Sequence, residues 1–152
     1  MRRLRVYADT SVFGGCFDTE FERDSRTFFR EAAAGRFRLV LSELTLRELA
    51  QAPAHVRGVL PQLPPQEVEF LEASDEIRQL RNAYLQAGIL TPASASDAEH
   101  IAAATVAGVD LLVSWNFRHI VHYDRIRGVA AVNLLQGYEP LRSHSPREVV
   151  LQ

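Results

Sequence analysis

Residues 96–114, "SDAEHIAAATVAGVDLLVS", place a helix and a strand in direct succession. Ser96 opens an alanine-rich run and Gly108 closes it, the start and stop marks of a helix over 96–108. "DLLVS" at 110–114 is short, apolar and bounded by polar residues, the pattern of a buried strand. The same alternation recurs along the chain. "RLRVYAD" (3–9) is a strand that ends on an acid. "DSRTFFREAAA" (24–34) is a helix stopped by Gly35, and "RFRLVLS" (36–42) is a second strand leading into a helix at "ELTLRELAQ" (43–51). Further on, 74–88 and 123–137 are helical, 55–65 is a short helix or a loop, 68–74 is a strand or the start of the next helix, and a last short strand lies near 139–143. Strands alternating with helices indicate one α/β domain over 1–152, with a central, mainly parallel sheet of four or five strands flanked by helices. In such sheets ligands gather beyond the carboxyl ends of the strands. Asp9 and the Ser114–Asn116 stretch occupy such ends.

Composition narrows the function. A chain of 152 residues that is 47% hydrophobic can bury a sizeable core, roughly 70% of the surface its unfolded form exposes. The single cysteine, Cys16, rules out an intrachain disulfide framework and favours the cytosol. The N-terminus has no apolar stretch of signal-peptide length, and no segment approaches a membrane span. A cytoplasmic protein is expected. The net charge is −2, so bulk basicity does not advertise nucleic acid. All 17 basic residues are arginine, which disfavours P-loop, Schiff-base and lysine-assisted phosphatase chemistry. A dehalogenase-type phosphatase would also want a second acid at position 11, where Ser11 stands. Arginine still suits phosphate, and Arg118, His119, His122, Arg125 and Arg127 crowd one segment.

Three acids are candidates for a shared site. Asp9 follows apolar residues and precedes Thr10 and Ser11, and a carboxylate buried there needs a cation or hydrogen-bond donors; the purely structural reading makes Asp9 an N-cap or turn former with Thr10 and Ser11. Glu48 sits at the border of its helix's inward stripe, about 60° from Thr45, and lacks an i±4 partner. Glu43, by contrast, has Arg47 four residues on. Asp97 shares a face with Ile101 and Ala104, although an acid in a first helical turn also serves the helix dipole. Glu99, three residues after Ser96, completes a capping box. Gathered at one end of the sheet, Asp9, Glu48 and Asp97 need a cation or protons, and an all-oxygen set selects Mg²⁺ or Mn²⁺ over zinc. His119 and His122 lack companions for a zinc site and are read as surface or substrate-side groups.

"YADTSVF", "LSELTLREL" and "SDAEHIAAATVAGVDLLVSWNFRHI", taken in order, resemble PIN-domain ribonucleases, in particular the VapC-like toxins of bacterial toxin–antitoxin pairs. The resemblance extends over nearly the whole chain, to the closing "GYEPLRSHSPREVV". It implies a PIN-like domain and a Mg²⁺- or Mn²⁺-dependent endoribonuclease. Asp9, Glu48 and Asp97 correspond to three of the family's metal-binding acids, with Asp9 and Asp97 as main ligands and Glu48 completing the set or orienting a water. Ser11, Ser114 and Asn116 would hold ligands and waters from behind, and Arg118 would grip RNA phosphates. Asn116 stands where the family commonly has a fourth acid, and an amide brings no charge. The resemblance further implies single-stranded or looped RNA as substrate, a small antitoxin as partner, and a homodimer through the helical flank. Trp115 would either pack or stack on a splayed base. The alternative is a PIN-like module that binds RNA or protein without cutting.

Overall fold

The computed structural model describes residues 2–151. Five strands, β1 (Arg5–Ala8), β2 (Arg38–Ser42), β3 (Val68–Leu71), β4 (Leu111–Val113) and β5 (Ser143–His144), form one sheet in the order β3-β2-β1-β4-β5. Every neighbouring pair is parallel, and Val6 is flanked by Leu39 on one side and Leu111 on the other. The strands therefore proceed outward from β1 in one direction, then return to its other side with β4. That reversal lies between β1 and β4, so their carboxyl ends frame the crevice where parallel sheets place ligands.

Among the described residues eight α-helices flank the sheet: α1 (Thr10–Gly15), α2 (Glu22–Ala33), α3 (Glu43–Ala50), α4 (Ala54–Arg57), α5 (Asp75–Gln86), α6 (Ala95–Val106), α7 (Tyr123–Leu135) and α8 (Pro146–Val149). Alternate strand residues face opposite sides of a sheet, and the sheet carries a core on each. On one side Val6, Ala8, Leu39, Leu41 and Val113 pack with Phe13, Phe28 and Phe29 of α1 and α2. On the other, Tyr7, Val40 and Leu112 meet Leu80 and Tyr84 of α5 and the alanines of α6. Helix α2 carries Glu22 and Asp24 in its first turn and Arg30 in its last, while Ser25, Phe28, Phe29 and Ala32 turn inward. The spacing places those four on one face, and the end charges complement the helix dipole. Helix α6 is buried on most of its circumference, which is why its residues are so small.

Several local expectations change. Residues 68–71 are strand, and the last strand is only Ser143–His144. Helix α1 was absent from the sequence reading. Six residues with Val12 and Phe13 buried side by side look like a continuing apolar run and give no helical period. Helix α6 starts at Ala95, with Ser94 preceding it and no side-chain cap, so Ser96 and Glu99 form no capping box. Glu99 instead receives Arg47 and Arg81, and Glu43 accepts from the Ala73 amide rather than pairing with Arg47. Helix α7 tolerates Gly128 because a Cβ there would lie 2.6 Å from Cδ1 of Ile89. Among the described residues, no helix is long and apolar enough to cross a membrane.

Candidate active site

Asp9 follows the last residue of β1, and its amide bonds the Val113 carbonyl at 3.3 Å, which continues the pairing of the two central strands. The residue is only 4% exposed. Its carboxylate takes two hydroxyl donors, Ser11 Oγ on Oδ1 at 2.6 Å and Ser114 Oγ on Oδ2 at 2.7 Å. Those hydroxyls are themselves oriented. Ser11 Oγ accepts the Trp115 amide at 2.9 Å, and Ser114 Oγ accepts the Asn116 amide at 2.9 Å. Each hydroxyl accepts one backbone amide and gives its single proton to Asp9. Burial nevertheless raises the Asp9 pKa, against the opposing pull of His100 and the two serines, and Asp97 adds to the rise. No cationic group bonds Asp9 among the described residues.

Glu48 projects from α3 toward the same edge. Its Oε1 receives Thr10 Oγ1 at 2.6 Å and His100 Nε2 at 2.6 Å. Burial would push its pKa up, but the bond and charge of His100, with Thr10, outweigh it and hold it below the usual glutamate value. His100 is 2% exposed, and its Nδ1 lies 2.6 Å from the Tyr7 hydroxyl. Burial alone would lower its pKa; Tyr7, Glu48 and Asp9 raise it to about 10.

Asp97 stands in the first turn of α6 and is held through Oδ2 by His119 Nδ1 at 3.0 Å. Asn116 sets that histidine: its Oδ1 accepts the Arg118 amide at 3.1 Å and the His119 amide at 2.9 Å. The side-chain oxygen of Asn116 is thus committed to the turn that presents His119. Trp115 is 7% exposed; its Nε1 donates to Ser25 Oγ at 2.8 Å and its ring stacks on Phe21 at 4.2 Å. It is a packing residue. The neighbouring Phe117, at 48% exposure, and the exposed Arg118 are the accessible groups of this segment.

The residue types suit a hard divalent ion, since Asp9, Glu48 and Asp97 offer only oxygen. The geometry does not close on one. Among the described residues no three His, Cys, Asp or Glu side chains form a group able to hold a metal; Glu48 is turned to Thr10 and His100, and Asp97 to His119. Sequence reasoning overlooked His100 and the pairing of His119 with Asp97. A histidine three residues after Asp97 on an alanine-rich helix was the available signal. Away from this edge, a cleft of about 400 Å³ lies between α2 and the 59–63 segment, lined by Phe17, Arg26, Phe29, Arg30 and Leu63 among others. It contains none of the three acids.

No family model matches the sequence, and no curated protein matches it. The fold is similar to a chain in the crystal structure of VapBC2 from Rickettsia felis bound to a DNA fragment from their promoter. The TM-score is 0.54 at 11% sequence identity, over 93% of this chain and 98% of that one. The likeness is one of fold, and the five-stranded parallel sheet flanked by helices is PIN-like.

Proposed function

We propose that this chain is a ribonuclease of the PIN type, the toxin of a toxin–antitoxin pair, which hydrolyses RNA phosphodiester bonds with the help of Mg²⁺ or Mn²⁺. The observation that carries the reading is Asp9: a carboxylate 4% exposed, at the crevice between β1 and β4, held by two oriented hydroxyls and bonded by no cationic side chain among the described residues. Ionising a carboxyl in that setting costs stability, and such perturbed groups cluster at functional sites.

Asp9, Asp97 and Glu48 would hold the ion, which supplies Lewis acidity and a water of lowered pKa. As placed, no three of these groups form a metal-holding set among the described residues. The protein's own contributions are clearer. Ser11 and Ser114 fix the orientation of Asp9, Asn116 fixes the turn that brings His119 to Asp97, and Arg118 offers a fork of donors to a flanking phosphate. Phe117 offers an exposed ring for an unstacked base. The partner part of the reading is supported by the cleft beside α2, whose apolar lining with Arg26 and Arg30 suits an acidic, amphipathic segment of a small antitoxin. A homodimer and a cytoplasmic setting belong to the same proposal.

The test is cleavage of single-stranded and looped RNA by the wild-type chain, Asp9→Asn and Asp97→Asn, with Mg²⁺, with Mn²⁺ and with EDTA. Metal-dependent cleavage lost in both variants supports the reading. Cleavage that survives EDTA overturns the metal, and RNA binding without cleavage favours the non-cutting module. Asn116 supports that second reading, because its side-chain oxygen is engaged by two amides where the family commonly offers an acid.

A further inference from the structure

Helix α6 is almost entirely apolar where it is buried, with Ala98, Ile101, Ala102, Ala103 and Ala104 in the core, and His100 sits among them at 2% exposure. A buried imidazole needs partners for both ring nitrogens, and both partners come from other elements. Nδ1 meets the Tyr7 hydroxyl of β1 at 2.6 Å, and Nε2 meets Glu48 Oε1 of α3 at 2.6 Å. Tyr7, fully buried, continues the chain to Ser42 Oγ at 2.7 Å. Ser42 is the N-cap of α3, and its hydroxyl accepts the Thr45 amide. One line of hydrogen bonds therefore grips α3 twice, at its N-cap and at Glu48.

Glu48 carries a further asymmetry. Oε1 takes both short bonds, from His100 and from Thr10, and Oε2 bonds no protein group among the described residues. The Glu48 side chain remains 33% exposed. One oxygen is anchored to the core and the other is presented outward.

We infer that His100, backed by Tyr7 and Ser42, is a positioning residue that anchors Glu48 through Oε1 so that Oε2 faces the reacting phosphate or its water. The inference rests on the nuclease reading of the site. His100 itself does not reach the substrate; it acts through Glu48, as buried partners of site carboxylates do.

Tyr7→Phe is the sharpest probe, because it keeps the buried ring and deletes only the hydroxyl that holds Nδ1. It is expected to lower kcat on RNA about tenfold with KM changed less than about twofold. In a Glu48→Gln background the same change should add less than about twofold, because the group it acts through is already altered. His100→Gln, which retains an N–H donor, should keep more activity than His100→Ala. Fully additive losses of Tyr7→Phe and Glu48→Gln would overturn the inference, as a merely structural role predicts additivity. The second measurement needs no RNA: urea unfolding of the wild type, both single variants and the double. Coupled midpoints support the anchor, and independent ones overturn it. A wild-type chain that cuts no RNA sinks the nuclease reading, while the unfolding cycle still decides whether Tyr7 and Glu48 are linked.

Discussion

Ser114 Oγ lies 2.7 Å from Oδ2 of Asp9, so the residues that follow the two central strands are joined by a hydroxyl directed at a buried carboxylate. The bond orients the acid without neutralising it. Because burial raises the Asp9 pKa, the native state favours the protonated acid more than the unfolded chain does. Above that raised value the charge therefore costs stability, and the cost fades as pH falls toward the ordinary carboxylate range.

Asp9→Asn should accordingly do two opposite things. RNA cleavage should fall roughly 100-fold or more, the scale on which a lost charge-stabilising group acts. The urea midpoint at neutral pH should rise, and the gain should shrink toward zero near pH 4. A variant less stable than wild type at pH 7 would show that Asp9 is a structural acid.

Gly15 is fixed by contact rather than by backbone freedom. A Cβ there would stand 2.5 Å from Ser25 Oγ and 2.6 Å from Trp115 Nε1, the two atoms that bond each other at 2.8 Å. Gly15→Ala is expected to destabilise the fold by ~1–3 kcal/mol through overpacking. Trp115 is the sole tryptophan, so its fluorescence should shift to longer wavelength in the variant. An unchanged spectrum and midpoint would mean that α1 and α2 separate freely.

The parallel sheet was readable because each central strand is a short apolar run with a polar residue at its carboxyl end: Asp9 after β1, Ser42 at the end of β2, Ser114 after β4. Asp9 stood out for the same reason. What the sequence could not show are partners fixed only by tertiary structure. Glu99 fits a local capping rule, yet its charge is taken by Arg47 from α3 and Arg81 from α5. His100 lies 93 residues from Tyr7 and 52 from Glu48, and no periodicity links residues so distant. Helix α1 was lost because six residues leave little room for a helical period to declare itself.

Phe117 and Trp115 should separate binding from folding. Phe117 is half exposed beside Arg118 but packs edge-on against Trp115 and tilted against Phe21, so Phe117→Ala should cost only about 0.5–1.5 kcal/mol. If the ring stacks on a base, the KM for RNA should rise roughly tenfold. Trp115→Ala removes a buried ring and its bond to Ser25, and should cost ~3–5 kcal/mol. Equal RNA affinity for Phe117→Ala and wild type would remove the stacking surface.

The amino-terminal end of the sheet carries its own pH dependence. Arg5 grips Glu69 of β3 with two bonds, Nε to Oε1 at 3.1 Å and Nη2 to Oε2 at 2.7 Å. Arg38 of β2 adds a third contact at 3.4 Å. The bond to Arg5 is the main cause that lowers the Glu69 pKa, against partial burial, with the charges of Arg5 and Arg38 assisting. A carboxyl whose folded pKa is depressed contributes stability above its unfolded value and loses it as pH falls through the folded one. Wild type should therefore exceed Glu69→Gln in stability at pH 7, by about 1 kcal/mol given the partial exposure of the pair. The difference should begin to close near pH 4.5 and vanish once Glu69 is protonated in the native state. Adding salt should narrow it at pH 7. Urea unfolding of both proteins from pH 2 to 8 checks the sign, and a gap that widens on acidification would show that Arg5 and Arg38 do not hold Glu69 ionised.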